Sequence, residues 1–434
     1  MQIESIRLKN FKAFKDVEMR DIPKLCVVVG ANGTGKSSLF CVFEFLKDAL
    51  TGNVNTALVN LGGGRGFNEV VSRNSEGPIE IELTFRDNAA EKSPAITYFL
   101  QIGKKDGQNG HAYVEREILK CQRENNGTPW HFLDFQDGAG YAVANEADIA
   151  TITVEDDLQR EQHKLKSNDI LAIKGLAQFE RFPTAMLLGN LIENWHFSNI
   201  LIDNAKAVQS AGYVKHLSRT GDNLNLVVQD LYQNHRETFD NLLTAMKWRI
   251  PGLSDIIVNT DSEGKVQLRF KDETFTEPFL SRFVSDGTIK MLACMALLYD
   301  PSPFSLLCIE EPENQLYQSI LVELYEEFRL YTVRGGQVLV STHSPEFLGA
   351  AKLKEVFWLE KSGGYTTIKR ALNNAQVKAY MEDGDHMGYL WTQGFFGGVN
   401  PKSSKLTPHR PPPLPRKQRL AQLQRAGIGD TGVV

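Results

Sequence analysis

The chain has 434 residues, 42% of them hydrophobic and 23% charged, with a formal net charge of −5. That length predicts more than one lobe, the composition excludes a disordered or fibrous body, and the negative balance excludes generic attraction to nucleic acid. No apolar run approaches the roughly 18 residues that span a bilayer and residues 1–11 lack a signal core, so a cytoplasmic protein with no membrane contact is expected.

In chain order, apolar or alternating runs at residues 3–11, 25–29, 79–85, 95–102, 111–119 and 131–135, divided by Gly, Asn and Asp, predict a β-rich first third. From about 149 to 197 the pattern is helical, opening on a charged stretch with Glu155, Asp156, Asp157, Arg160 and Glu161 and no sustained heptads. Residues 220–248 read as a capped pair of amphipathic helices, and 250–258 and 265–270 as strands. After Ser285 the order becomes helix (288–298), strand (304–309), helix (318–331) and strand (338–341), the alternation of an α/β core. The five scattered cysteines, Cys26, Cys41, Cys121, Cys294 and Cys308, suit reduced core thiols and not a disulfide frame or zinc site.

Residues 401–434 carry +6, which against −5 overall leaves −11 on the rest. The prolines of PHRPPPLPRKQRL bar helix and strand and favour polyproline II. Its P-x-x-P-x-K stretch, residues 412–417, has the chemistry to dock on an aromatic groove, although a disordered terminus is the blander expectation.

The sequence VVVGANGTGKSSL places G-x-x-x-x-G-K-S at residues 30–37, after a predicted strand and before a predicted helix. Gly30, Gly33 and Gly35 permit a tight loop whose N–H groups converge on phosphate, with Asn32, Thr34 and Ser38 completing it. Lys36 is expected to reach the β- and γ-phosphates of ATP, and Ser37 to ligate Mg²⁺. A second feature is its counterpart. LLCIEEPENQ ends an apolar strand on Glu310 and Glu311, and Pro312 stops it. Two acids at a strand end are by themselves an ordinary solvated edge. With Lys36 and Ser37 in the chain, Glu310 is expected to hold Mg²⁺ and Glu311 to act as general base toward water. Ser285 and Asp286 read as N-caps of the helix that precedes this strand.

Together these stretches resemble the ABC-type ATPases of the RecF, SMC and OLD group. The resemblance rests on IRLKNFKAF, the phosphate loop, LSRTGDNLNLVVQDL, the signature LSRFVSDGT, the acidic strand and the switch STHSPEF, in family order over most of residues 1–360. It implies an ABC-type P-loop NTPase head with a mixed or parallel core sheet, an N-terminal antiparallel β-subdomain (1–145), a helical insertion (146–245), a C-terminal lobe (246–400) and a basic tail (401–434). It gives His343 a hydrogen bond to the γ-phosphate, and sets Ser285 and Gly287 against the nucleotide of a second subunit in a head-to-tail homodimer or higher assembly.

The family's Q-loop glutamine is missing from LGGGRGFNEVVSR, where Asn68 or Arg65 is the candidate substitute; Lys12 is a candidate basic residue near the phosphates. The segment after His343 is too short for the nuclease domain of OLD relatives, and Asp383 and Asp385 read as a solvated turn. The resemblance to stand-alone members of the group therefore implies a regulator of a separate nuclease or toxin in phage defence. The alternative is a RecF-like DNA-repair ATPase that contacts nucleic acid.

Overall fold

The computed structural model describes residues 1–87, 94–105, 111–121, 129–146 and 158–396. The expected polyproline tail and the acids 155–157 lie outside them.

A central sheet organises the chain. Its strands run in the order Trp195–Ser198, Leu306–Glu310, Gln337–Thr342, Leu25–Val29, Val356–Ser362, Tyr365–Arg370. The first five are mutually parallel and the last is antiparallel. Strands covered on both faces read as continuous apolar runs, and LCVVV is buried throughout. Its residues alternate between layers. Cys26 and Val28 join one core, with Leu306, Cys308 and Leu339, while Leu25, Val27 and Val29 join another, with Leu307, Ile309, Val338 and Val340.

The first core is closed by helix Lys36–Thr51, which sets Phe40, Phe43 and Leu46 between the central sheet and a second, antiparallel sheet. That sheet holds the expected strands Gln2–Phe11, Ile79–Arg86, Ile96–Lys104, Ala112–Cys121 and Trp130–Gln136. The second core is closed by helices Asp286–Leu298 and Gln318–Val333 and by the pair Leu224–Asn234 and Arg236–Arg249. Helix Asp286–Leu298 is buried on every side from Thr288 onward.

Two stretches expected to be helical are strands. Arg160–Lys164 pairs with Ala139–Val143 at the margin of the antiparallel sheet. Its sequence REQHK has no apolar stripe with which a helix could pack, whereas a polar edge strand satisfies its backbone by pairing. Trp195–Ser198 forms the outer strand of the central sheet, beside the acidic strand. The MEDGDH turn also differs from expectation: Asp385 is 6% exposed, so it closes the end of helix Ala375–Glu382 from within. None of the five cysteines is in a disulfide, and four of them are buried.

Gln337 locks the two sheets together. Its carboxamide accepts from Ile3 N (2.9 Å) and donates to the carbonyls of Ile3 (2.9 Å) and Pro23 (3.2 Å), with the side chain 1% exposed. Gln337→Leu keeps the volume but strands buried backbone groups, and is expected to lower unfolding stability by about 2–4 kcal/mol in urea titration.

Candidate functional site

The phosphate loop leaves strand Leu25–Val29 and turns into helix Lys36–Thr51 at the carboxyl end of the parallel strands, where α/β sheets bind ligands. Gly33 and Gly35 have φ of 77° and 97°, values costly for any residue with a Cβ. Gly30 is needed for a different reason, since a Cβ there would lie 2.4 Å from Thr34 Oγ1. Thr34 faces inward. Its hydroxyl donates to Ala31 O at 2.8 Å, and its own carbonyl accepts from Thr366 Oγ1 at 2.7 Å. Thr34 therefore shapes the loop with its side chain and leaves the ligand side to its neighbours.

A groove of about 460 Å³ is lined by Asn32, Gly33, Gly35, Lys36, Ser37, Ser38, Ala13, Lys361 and Glu311. The last of these brings in the acidic strand. Ser37 Oγ donates to Glu310 Oε2 at 2.8 Å. Lys36 is buried; its ammonium donates to Gly30 O at 2.7 Å, with Ala31 O at 3.5 Å. Burial lowers the Lys36 pKa, and the charges of Glu311, Glu313 and Glu310 oppose that shift.

Glu311 has φ of 45°, rare for a residue with a side chain and worth about 1 kcal/mol of strain. The bend is held by Glu311 N donating to Ser341 O (2.9 Å) and by Asn314 Nδ2 donating to Glu311 Oε2 (3.1 Å). His343 Nδ1 lies 3.4 Å from Glu311 Oε1. The three expected catalytic residues thus fall into one neighbourhood.

Sequence reasoning missed two supports. Glu313 is 8% exposed and accepts from Thr342 Oγ1 (2.7 Å) and His343 N (3.0 Å), while its Oε2 has no hydrogen-bond partner. It stood in the quoted ENQ stretch, but only the fold shows that it seats the switch. The hairpin of Val356–Ser362 and Tyr365–Arg370 supplies Lys361 to the groove and Thr366 to the loop; no motif marks it.

The other expected site residues lie apart from the groove. Ser285 caps helix Asp286–Leu298 by accepting from Thr288 N (3.2 Å), and Lys206 Nζ donates to Asp286 Oδ1 (2.6 Å) and Val284 O (2.9 Å). A Cβ on Gly287 would lie 2.9 Å from Gln315 O, so glycine there is required by packing against the loop that follows the acids. Neither Ser285 nor Gly287 lines the groove. Arg65 pairs with Glu69 (4.0 Å), Asn68 accepts from Lys104 Nζ (3.1 Å), and Lys12 Nζ contacts Cys41 Sγ (3.5 Å) on the phosphate-loop helix.

A glycine-rich loop, a serine bonded to a strand-end acid and a histidine beside the second acid share one end of the sheet, and the sequence agrees. The family described as "AAA domain, putative AbiEii toxin, Type IV TA system" matches residues 25–349. The chain belongs to this AAA-domain family. Among solved structures, an Smc head bound to the C-winged helix domain of ScpA aligns with 13% identity and a TM-score of 0.50, covering 85% of this chain and 98% of that one. The Thermotoga maritima SMC head (15%, TM-score 0.42, 85% and 99% covered) and a Pyrococcus furiosus Smc head with an extended coiled coil, bound to the C-terminal domain of ScpA (13%, 0.45, 88% and 99%), are further similar structures. The first shows an SMC-head-like fold. No curated protein matches the chain.

For a member of this AAA-domain family the residues present fit Mg²⁺ and nucleotide. Among the described residues no cluster of three or more His, Cys, Asp or Glu could hold a metal alone. Mg²⁺ characteristically takes one or two protein oxygens with substrate phosphates, and the bonded pair of Ser37 and Glu310 is such a donor set. No helix among the described residues is long and apolar enough to cross a membrane. Glu313→Ala is expected to cost about 2–3 kcal/mol in chemical denaturation, because the Thr342 hydroxyl and His343 amide lose their buried acceptor; Glu313→Gln, which keeps one oxygen, should cost less.

Proposed function

We propose that this chain is an ABC-type ATPase that binds and hydrolyses Mg-ATP between two heads packed head-to-tail, and that it regulates a separate effector. The bond of Ser37 to Glu310, with Lys36 and Glu311 on the same groove, carries this reading. Loop N–H groups, the amino end of helix Lys36–Thr51 and the Lys36 ammonium bind the triphosphate. Ser37 and Glu310 would hold Mg²⁺, which when bound would offset charge on the phosphates.

Glu311 orients a water toward the γ-phosphorus and takes its proton as the new P–O bond forms. The bond to the bridging oxygen breaks and its electron pair leaves with ADP. Asn314 holds the other oxygen of Glu311, which fixes the carboxylate's aim. His343 donates to the γ-phosphate from beside Glu311. Ser285 and Gly287 of the second head cap that phosphate with a helix amino end. Closing two heads on ATP and reopening them after hydrolysis is a two-state element on which a trigger and an effector can act.

The effector is proposed to be a nuclease or toxin in bacterial phage defence. The family's description, which names a toxin–antitoxin system, supports a partnered protein. Glu311→Gln is expected to bind ATP with near-parental affinity, to turn it over about 10²–10⁴-fold more slowly, and to accumulate as a dimer in light scattering. Lys36→Ala should lose nucleotide affinity in calorimetry. Parental turnover by Glu311→Gln would remove Glu311 as base, and turnover stimulated by DNA with no co-purifying effector would replace the defence role by a DNA-repair one.

A further inference from the structure

The hairpin of Val356–Ser362 and Tyr365–Arg370 enters the phosphate groove from the flank opposite the acids. In the central sheet its first strand borders Leu25–Val29 on one side, while Gln337–Thr342 and then Leu306–Glu310 lie on the other. Alternate residues of a strand share a face. One face of the hairpin carries Trp358 and Glu360, and Glu360 Oε2 accepts from Lys369 Nζ at 2.6 Å. The other carries Leu359, Lys361 and, directly across the ladder from Lys361, Thr366. That second face lies along the phosphate loop. A Cβ on Gly30 would be 3.3 Å from Leu359 Cβ, and one on Gly35 would be 3.1 Å from Thr366 Oγ1. Thr366, itself buried, donates from Oγ1 to Thr34 O (2.7 Å) and from N to Ala13 O (2.8 Å), which fixes the hairpin's register on the loop.

Lys361 is the charged residue that this face presents to the groove. It is exposed, and among the described residues its ammonium has neither an ion pair nor a hydrogen bond, whereas Lys369 and Arg370 of the same hairpin pair with Glu360 and with Asp21 (2.9 Å). The charged residues lining the groove are Lys36, Lys361 and Glu311. Of the two lysines, Lys36 is already held by loop carbonyls, so Lys361 is the cation still open to an anion. A lysine ammonium beside converging loop N–H groups has the chemistry to bind phosphate as a point charge. Resting on the ATPase reading above, we infer that Lys361 is a second nucleotide-binding cation, which meets the α-phosphate end of the bound polyphosphate. Strand order gives the direction: with the γ-phosphate at Glu311, on the flank of Leu306–Glu310, the row of phosphates crosses the loop toward the flank of the hairpin. A contact at the α end is the same with ATP and with ADP. Lys361 therefore supplies uniform binding, which sets affinity and leaves kcat alone.

The experiment is calorimetry on the full-length protein with Mg-ADP and with the Mg complex of a β,γ-imido ATP analogue. Lys361→Met, which keeps most of the stem at an exposed position, is expected to weaken both ligands about tenfold and by the same factor. Lys361→Arg should stay within about threefold of the parental affinity, since the charge remains. The loss in Lys361→Met should shrink as salt is raised. Loss for the ATP analogue alone would move Lys361 to the γ-phosphate or to a second head, and equal loss in Lys361→Met and Lys361→Arg would mark a structural role. Unchanged affinity in Lys361→Met, where Lys36→Ala loses it, would remove Lys361 from the site. Each of these three results overturns the inference and leaves the ATPase reading standing, whereas a parental protein that binds neither ligand overturns both.

Discussion

The hydrogen bond between Ser37 and Glu310 joins residues 273 positions apart, and the site exists only because the sheet brings them together. Their strands are not neighbours. Strand Gln337–Thr342 lies between Leu25–Val29 and Leu306–Glu310, and its own end delivers Thr342 and His343 to the gap. Parallel pairing makes all three chains arrive at the same edge, so a cationic loop, an acidic turn and a histidine meet without any of them being close in sequence.

Bringing these charges together costs desolvation, and they offset it for one another. Lys36 is held against loop carbonyls while three glutamates counter the effect of its burial. Glu313 spends one oxygen on seating the switch strand's end. The left-handed turn at Glu311 stores strain that Ser341 and Asn314 hold in place. Strain concentrated at a ligand-facing carboxylate is the arrangement expected where aim matters more than stability.

The helix of the signature stretch shows a different logic. Its body is buried on all sides, which fixes its axis, and its amino end is held by Lys206 and pressed against Gln315. The loop after the acids therefore packs directly on the start of this helix, beside Ser285. This contact joins, within the chain, the turn that follows the paired acids to the amino end of the helix that Ser285 caps.

Much of this was legible in the chain. G-x-x-x-x-G-K-S between strand and helix, the paired glutamates before proline and the amphipathic helix pair depend on local turn chemistry and periodicity, which short windows carry; the caps expected of that pair are absent, since neither Leu224–Asn234 nor Arg236–Arg249 has a side-chain cap. Arg160–Lys164 and Trp195–Ser198 were misread because an edge strand takes its identity from the partner it pairs with. Asp385 looked solvated for want of any sign of what covers it. Glu313, Thr366 and Lys361 carry no motif, since a supporting residue is defined by what it touches. The sequence alone determined the glycine-rich loop with its lysine and serine and the paired acids, because backbone geometry and side-chain chemistry are local. Only the tertiary structure decided which residues aim and brace them, because strand order brings together contacts hundreds of positions apart.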